Sequence, residues 1–199
     1  MAALSLYARE GLHGVSLRTI SAASGSRNSA AMHYHFDNKA GLIRALLKTI
    51  YAQLGELATQ QQTVRKVRES GDLREALRLT LMPLASLSRD MEWGPDALVF
   101  LARLLAEADE EMAAINNEFS GGFYLEADTQ LARLLPELNP QTRQLRLIFM
   151  TVNVFHGFAD VGALAHTPFG DLSTIDDEVL INLLVDYLYN GLTGPSHSA

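Results

Sequence analysis

The sequence predicts an all-α protein in two parts, a small three-helix head over residues 1–48 and a larger helical body over residues 49–199, about nine helices in all. Three observations carry this. Apolar residues recur at helical spacing along the whole chain, and strand-like alternation is absent. Gly11, Gly14 and Gly25 punctuate three short helical stretches at the N-terminus, whereas the later stretches are long. Charge changes sign along the chain: Arg9, Arg18, Arg27, Lys39, Arg44 and Lys48 face only Glu10 and Asp37 in residues 1–48, while the rest carries 10 basic against 21 acidic residues.

The elements follow in order. Short helices are predicted at about 1–11, 16–24 and 29–35, with Ser16 placed to cap the second. Asp37 or Asn38 caps a long fourth helix through Leu42, Leu46, Ile50, Leu54 and Leu57, which ends near RKVRESGD. Further helices are expected at about 72–90, 95–106, 107–135, 140–165 and 175–192. Pro140 and Thr174 mark starts, and Pro136 and Pro168 mark stops. Two adjacent glycines, Gly121 and Gly122, are expected to break or kink the seventh helix, at a propensity cost of about 2 kcal/mol relative to alanine.

Composition narrows the function. With 199 residues and 48% hydrophobic content the chain buries a sizeable core. There is no cysteine, so disulfides and thiolate metal sites are excluded, which suits a cytoplasmic setting. The longest uncharged apolar run, LIFMTVNVFHGFA, is shorter than a membrane span of roughly 18 residues, so no membrane segment is expected. His33 and His35 form a possible chelate, but no carboxylate spacing accompanies them or His156 and His166; neither metal nor cofactor is expected. A net charge of −7 argues against nucleic acid as a partner until its distribution is considered: a basic head on an acidic body suits a DNA-binding module joined to a different domain.

Residues 15–43, VSLRTISAASGSRNSAAMHYHFDNKAGLI, are the informative stretch. A helix of about nine residues ends at a glycine, a tight turn follows, and a second short helix presents Arg, Asn, Ser and His. That is helix-turn-helix patterning, with Ala22, Ala23, Gly25 and Ala30 small where the helices cross. Arg27, Asn28, Ser29 and His33 form the groove-facing set, because Arg pairs with guanine and Asn with adenine through two hydrogen bonds. Ser16 both caps its helix and offers a hydroxyl to a phosphate, with Arg18 within one turn.

Ser16, Ile20, Gly25, Tyr34, His35, Phe36, Lys39 and Leu42 stand in the order of the N-terminal pattern of the TetR family, and over about 45 residues the chain resembles that family. The stretch from Gly25 to Phe36 is one residue longer than the commonest family spacing. The resemblance implies that Tyr34, His35 and Lys39 clamp the DNA backbone, with a packed histidine that caps the turn as the competing reading of His35. It also implies a transcriptional regulator, a repressor in the first instance, that binds double-stranded DNA at a palindromic operator as a homodimer under the control of a small-molecule effector.

The body carries no motif of comparable sharpness. Its last two long helices have apolar faces, Leu145, Phe149, Val152 and Ala159 on one and Val179, Leu183 and Leu192 on the other, and the resemblance implies a dimer interface there. The interface set is Phe155, Phe158, Leu180, Leu184, Tyr187 and Leu188, with internal core as the competing reading. A mainly apolar effector pocket is expected from polar groups on apolar stretches, Arg103, Asn116, Asn153 and His156, together with Trp93, Phe100, Phe119, Phe123, Tyr124 and Phe149. Two other functions stay open on the residues. One is a DNA-binding dimer without a ligand; the other is an all-helical enzyme using His156 with Asp160 one turn away, for which no nucleophile or phosphate loop is present.

Overall fold

The computed structural model describes residues 1–25, 36, 38–107 and 109–195. Among them lie nine α-helices, one 3-10 helix and no β-strand. The head contains α1 (Ala2–Gly14) and α2 (Leu17–Ala23) and the first half of α3 (Lys39–Gln60). The body continues with α4 (Thr63–Glu69), α5 (Leu73–Asp90), α6 (Gly94–Leu105), α7 (Glu110–Leu134), α8 (Pro140–Ala159) and α9 (Asp177–Thr193).

Side chains close most helix starts, satisfying N–H groups that the first turn leaves open. Ser16, Asn38, Asp72, Asp109, Asn139 and Asp176 each accept from a backbone N–H two or three residues ahead. Helical geometry in α1 is interrupted at Gly11, whose φ of 79° a side chain would strain. The same glycine gives the Arg103 guanidinium room: its Nη1 lies 3.3 Å from where a Cβ would stand.

Two apolar clusters hold the molecule. In the first, Leu4, Tyr7, Leu12, Ile20, Ile43 and Leu47 of the head pack into one continuous core with Leu98, Phe100 and Leu104 of α6 and Ile115 of α7. Tyr7 and Phe100 meet at 5.9 Å between ring centroids. The second joins α5, α7, α8 and α9 through Leu77, Leu131, Leu147, Val185, Leu188 and Leu192. Arg143, only 9% exposed, pairs with Asp128 of α7 at 2.8 and 3.2 Å. A buried guanidinium without that partner would be costly.

The structure departs from the sequence expectation at three places. α3 stops at Gln60 rather than near RKVRESGD, because Gln62 adopts a left-handed φ of 55° and the chain turns into a separate helix α4. α7 runs unbroken through Gly121 and Gly122, anchored on either side by buried Ile115 and Leu131, so tertiary packing overrides the propensity cost. α8 ends at Ala159, and Val161–His166 form a 3-10 helix instead of a last α-helical turn.

Candidate functional site

Two places in the molecule have the geometry of a site. The first is the head. Ser16 is exposed; its hydroxyl accepts from Thr19 N at 3.1 Å and pairs with the Thr19 hydroxyl at 2.8 Å, so the capping role is occupied. Arg18 is exposed beside it. Lys39 is half-buried and its ammonium donates to the Leu12 carbonyl, which ties the start of α3 to α1. Arg27, Asn28, Ser29, His33, Tyr34 and His35 lie outside the described residues. Gly41 is a feature that pattern reading passed over. A Cβ at this position would stand 2.1 Å from the Phe36 carbonyl oxygen, so only glycine lets the chain from the turn pass so close to α3.

The second place is a cavity of about 350 Å³ in the body, bounded by α3, α4, α5, α6, α7, α8 and α9. Its volume falls within the range of small-molecule sites. The walls are mostly apolar, including Leu77, Leu81 and Leu84 of α5, Leu101 and Leu105 of α6, and Met150 and Val154 of α8. Two half-buried phenols add polarity. Burial, with the nearby Tyr124 as a lesser cause, pushes Tyr51 up to about 12 although its hydroxyl pairs with Ser120. Burial also raises Tyr124, which pairs with Thr151. At the edge, Glu126 is held below the usual carboxylate range chiefly by its hydrogen bonds from Arg68.

The expected pocket residues divide. Asn116, Phe123 and Tyr124 line the cavity. Phe119 stands behind it, stacked on Tyr51 at 6.0 Å. Phe100 is fully buried in the first cluster and Trp93 packs against that cluster. Arg103 is exposed next to Gly11. Phe149, Asn153 and His156 point away from the cavity. Each sits one residue, about 100° of helical rotation, from a lining residue of α8: Met150, Val154 and Phe155 respectively. Both faces of α8 are apolar, so periodicity does not say which one is inside. Asn153 satisfies itself without burial, donating to the Phe149 carbonyl at 2.7 Å and accepting from the Tyr187 hydroxyl at 3.3 Å. His156 and Asp160 are both exposed and 3.2 Å apart, and among the described residues no further side-chain hydrogen bond or ion pair joins them.

The expected interface residues divide in the same way. Phe155 and Leu188 line the cavity, Phe158 packs against both clusters, and Leu180 and Leu184 are half-buried. Tyr187 is 60% exposed. It shares an open apolar face with Leu145, Ile148, Phe149 and Val152 of α8 and Val179 and Leu183 of α9. The spacing of three and four along both helices marks this open face. Choosing it required knowing which side the cavity occupies.

A helical body with an apolar chamber, sharing α3 and a continuous core with a small capped head of net positive charge, is the architecture of a one-component DNA-binding regulator. Two family models match the chain. The bacterial regulatory proteins of the tetR family match over residues 1–46, and the tetracyclin repressor-like C-terminal domain matches over residues 78–191. The chain belongs to the TetR family of DNA-binding transcriptional regulators. No curated protein matches it significantly. Among solved structures it is similar to the fatty acid degradation regulator FadR from Bacillus halodurans, at 16% identity and a TM-score of 0.62, covering 99% of this chain and 94% of that one. FadR from Bacillus subtilis in complex with stearoyl-CoA gives 15% and 0.63, with coverage of 98% and 96%. AibR in complex with isovaleryl coenzyme A and operator DNA gives 16% and 0.63, with 94% of each chain covered. These likenesses concern the fold. No helix among the described residues is long and apolar enough to cross a membrane.

Proposed function

We propose that this protein is a cytoplasmic homodimeric repressor, without enzymatic activity, that releases or grips a palindromic operator according to whether an apolar effector occupies its cavity. The observation that carries the reading is shared structure: the helices that wall the cavity are also those that hold the head. α3 contributes Tyr51, Leu54 and Ala58 to the cavity and Ile43 and Leu47 to the head core. α6 contributes Leu101 and Leu105 to the cavity and meets α1 through Phe100, with Asp96 accepting from Ser5 and Glu107, just beyond α6, lying 2.7 Å from His13. A ligand that repositions these walls therefore shifts the head as well.

Two heads on a two-fold axis suit a symmetric site. The open face of α8 and α9 is the surface we assign to the second copy, since seven large apolar side chains there are at least 38% exposed. In each head Arg27, Asn28, Ser29 and His33 read bases, while Ser16, Arg18, Tyr34, His35 and Lys39 hold the backbone. The acyl-coenzyme A ligands of two similar structures support an acyl-like tail in the cavity.

Selection of genomic fragments by the purified protein, followed by titration of the selected site with acyl compounds, tests this. A palindrome should emerge, binding should weaken steeply with salt, and the effector should change operator affinity by about 1–3 kcal/mol, with DNA changing effector affinity by the same factor. A ligand that fills the cavity and leaves DNA affinity unchanged defeats the mechanism.

A further inference from the structure

Exposure locates the mouth of the cavity. Its deep walls, such as Leu81, Leu101 and Leu188, are at most 3% exposed, whereas Val64 of α4 is 51% and Phe123 of α7 is 45% exposed, with exposed Gly55 of α3 beside them. The chamber thus opens between α3, α4 and α7. Across that opening Arg68 of α4 forks onto Glu126 of α7, Nε to Oε1 at 2.8 Å and Nη2 to Oε2 at 3.0 Å.

We propose that this mouth seats the anionic head group of an amphiphile whose apolar tail fills the cavity, and that Arg68 reads the charge. The proposal rests on the reading that the cavity takes an apolar effector. Four features of the site carry it. First, Glu126 is the one carboxylate among the lining residues described, and no Lys, Arg or His lines the chamber with it, so an ionised head group inside would be buried without a counter-charge. It has to stay at the opening. Second, hydroxyls deeper in the wall are already committed to main-chain carbonyls: Ser120 to Asn116, Thr80 to Ala76 and Thr151 to Leu147, all at 2.8 or 2.9 Å. On the α4 side, by contrast, Thr63 has a buried hydroxyl with no hydrogen-bond partner. An ester, thioester or carboxyl oxygen entering beside Val64 is a suitable partner for it.

Third, the Arg68–Glu126 pair is about half exposed at both ends, at 57% and 41%, and exposed pairs of this kind contribute little. An incoming carboxylate or phosphate can take over the guanidinium, whose planar fork matches either anion through two hydrogen bonds. Fourth, the surroundings set the sign. α4 carries Arg65, Lys66 and Arg68 against Glu69, and Arg133 of α7 reaches across to the carbonyls of Val67 and Ser70. Lys66 has no carboxylate partner among the described residues. A cationic head group would have to displace Arg68 from Glu126 and then sit among these charges.

The test is calorimetric titration of the full-length protein with decanoate, decanoyl-coenzyme A, decanol and decyltrimethylammonium, and with coenzyme A lacking a tail. At least one of the two anionic amphiphiles should bind about tenfold tighter than decanol, as a charge-assisted hydrogen bond implies, and the cation should bind weakest. Whichever anion binds tighter identifies carboxylate or phosphate as the group seated. Arg68→Gln should bring the anions to the level of decanol while leaving decanol within about twofold, Arg68→Lys should recover part of the loss, and Glu126→Gln should tighten the anions. Decanol binding as well as the anions, the cation binding tightest, or Arg68→Gln weakening decanol equally would overturn the head-group assignment and leave the cavity reading standing. Tight binding of tail-less coenzyme A would overturn it too. Failure of every tailed compound to bind would remove the cavity reading itself.

Discussion

Apolar side chains in the head and in the body are used differently. In the head, Leu4, Tyr7, Leu12, Ile20, Ile43 and Leu47 are at most 2% exposed and fill one another's space. In the body, packed residues such as Phe100, Leu147 and Leu192 stand beside others that wall an open chamber and others that remain bare, as Phe149 at 62% and Leu183 at 56% do. A close-packed region has one arrangement and carries a fixed shape to its target, while a region with spare volume and uncovered surface is suited to responding to something else. The contrast makes the same kind of substitution have different consequences on the two sides of α3.

The largest expected effect breaks the contrast at the open face. Phe149→Asp combined with Tyr187→Asp should yield monomers in sedimentation with helix content unchanged, because both side chains are already exposed in the single chain. Operator affinity should then fall by about 10³-fold or more, toward the level of non-specific binding. An unchanged dimer would place the interface elsewhere. Next, Leu47→Ala in the packed head should cost about 2–5 kcal/mol in urea unfolding, whereas Leu77→Ala at the cavity wall should fall near the low end, about 2 kcal/mol, since its neighbours already border empty space. Equal losses would mean that the chamber is no looser than the head.

Gly41→Ala sharpens the comparison within the head. Its methyl group meets the Phe36 carbonyl, so a loss of about 1–3 kcal/mol is expected in thermal unfolding, with weakening of all DNA sequences alike. The smallest effect concerns acid. Asp128 is held below its ordinary value of 3.8 chiefly by hydrogen bonds from Arg143. A folded value below the unfolded one means stability that is present above the ordinary carboxylate range and lost as pH falls through the depressed value. Arg143→Met should flatten that acid limb of the stability curve, measured by urea unfolding at a series of pH values, and leave the head's own packing unaffected.

Much of this was legible in the sequence, for reasons that differ by region. The head announces itself because a turn, its glycine and its caps impose residue types at fixed offsets, as Ser16, Gly25 and Asn38 do. The all-α class and most helix limits followed from periodicity and capping. The α8 wall of the cavity did not, since apolar residues stand on both its inner and outer faces and a rotation of one residue exchanges Phe149 and Asn153 for Met150 and Val154. α4 was hidden for a different reason: the left-handed turn at Gln62 has no glycine or proline to mark it, so Thr63, Val64 and Val67 were not expected in the wall. The family resemblance supplied the division of labour between the parts, which no spacing in the body encodes.

The unbroken run of α3 has a mechanical consequence. Its 22 residues span about 33 Å, with one end in the head core and the other in the chamber wall. Pivoted at the chamber, such a rod moves its far end by about 3 Å for a tilt of about 5°, close to the rise of one base pair along the duplex. In a symmetric pair the two tips move in opposite senses, so the distance between them changes by about 6 Å against a groove repeat of about 34 Å. A change in side-chain packing too small to disturb the fold is then amplified into a mismatch that the double helix itself measures.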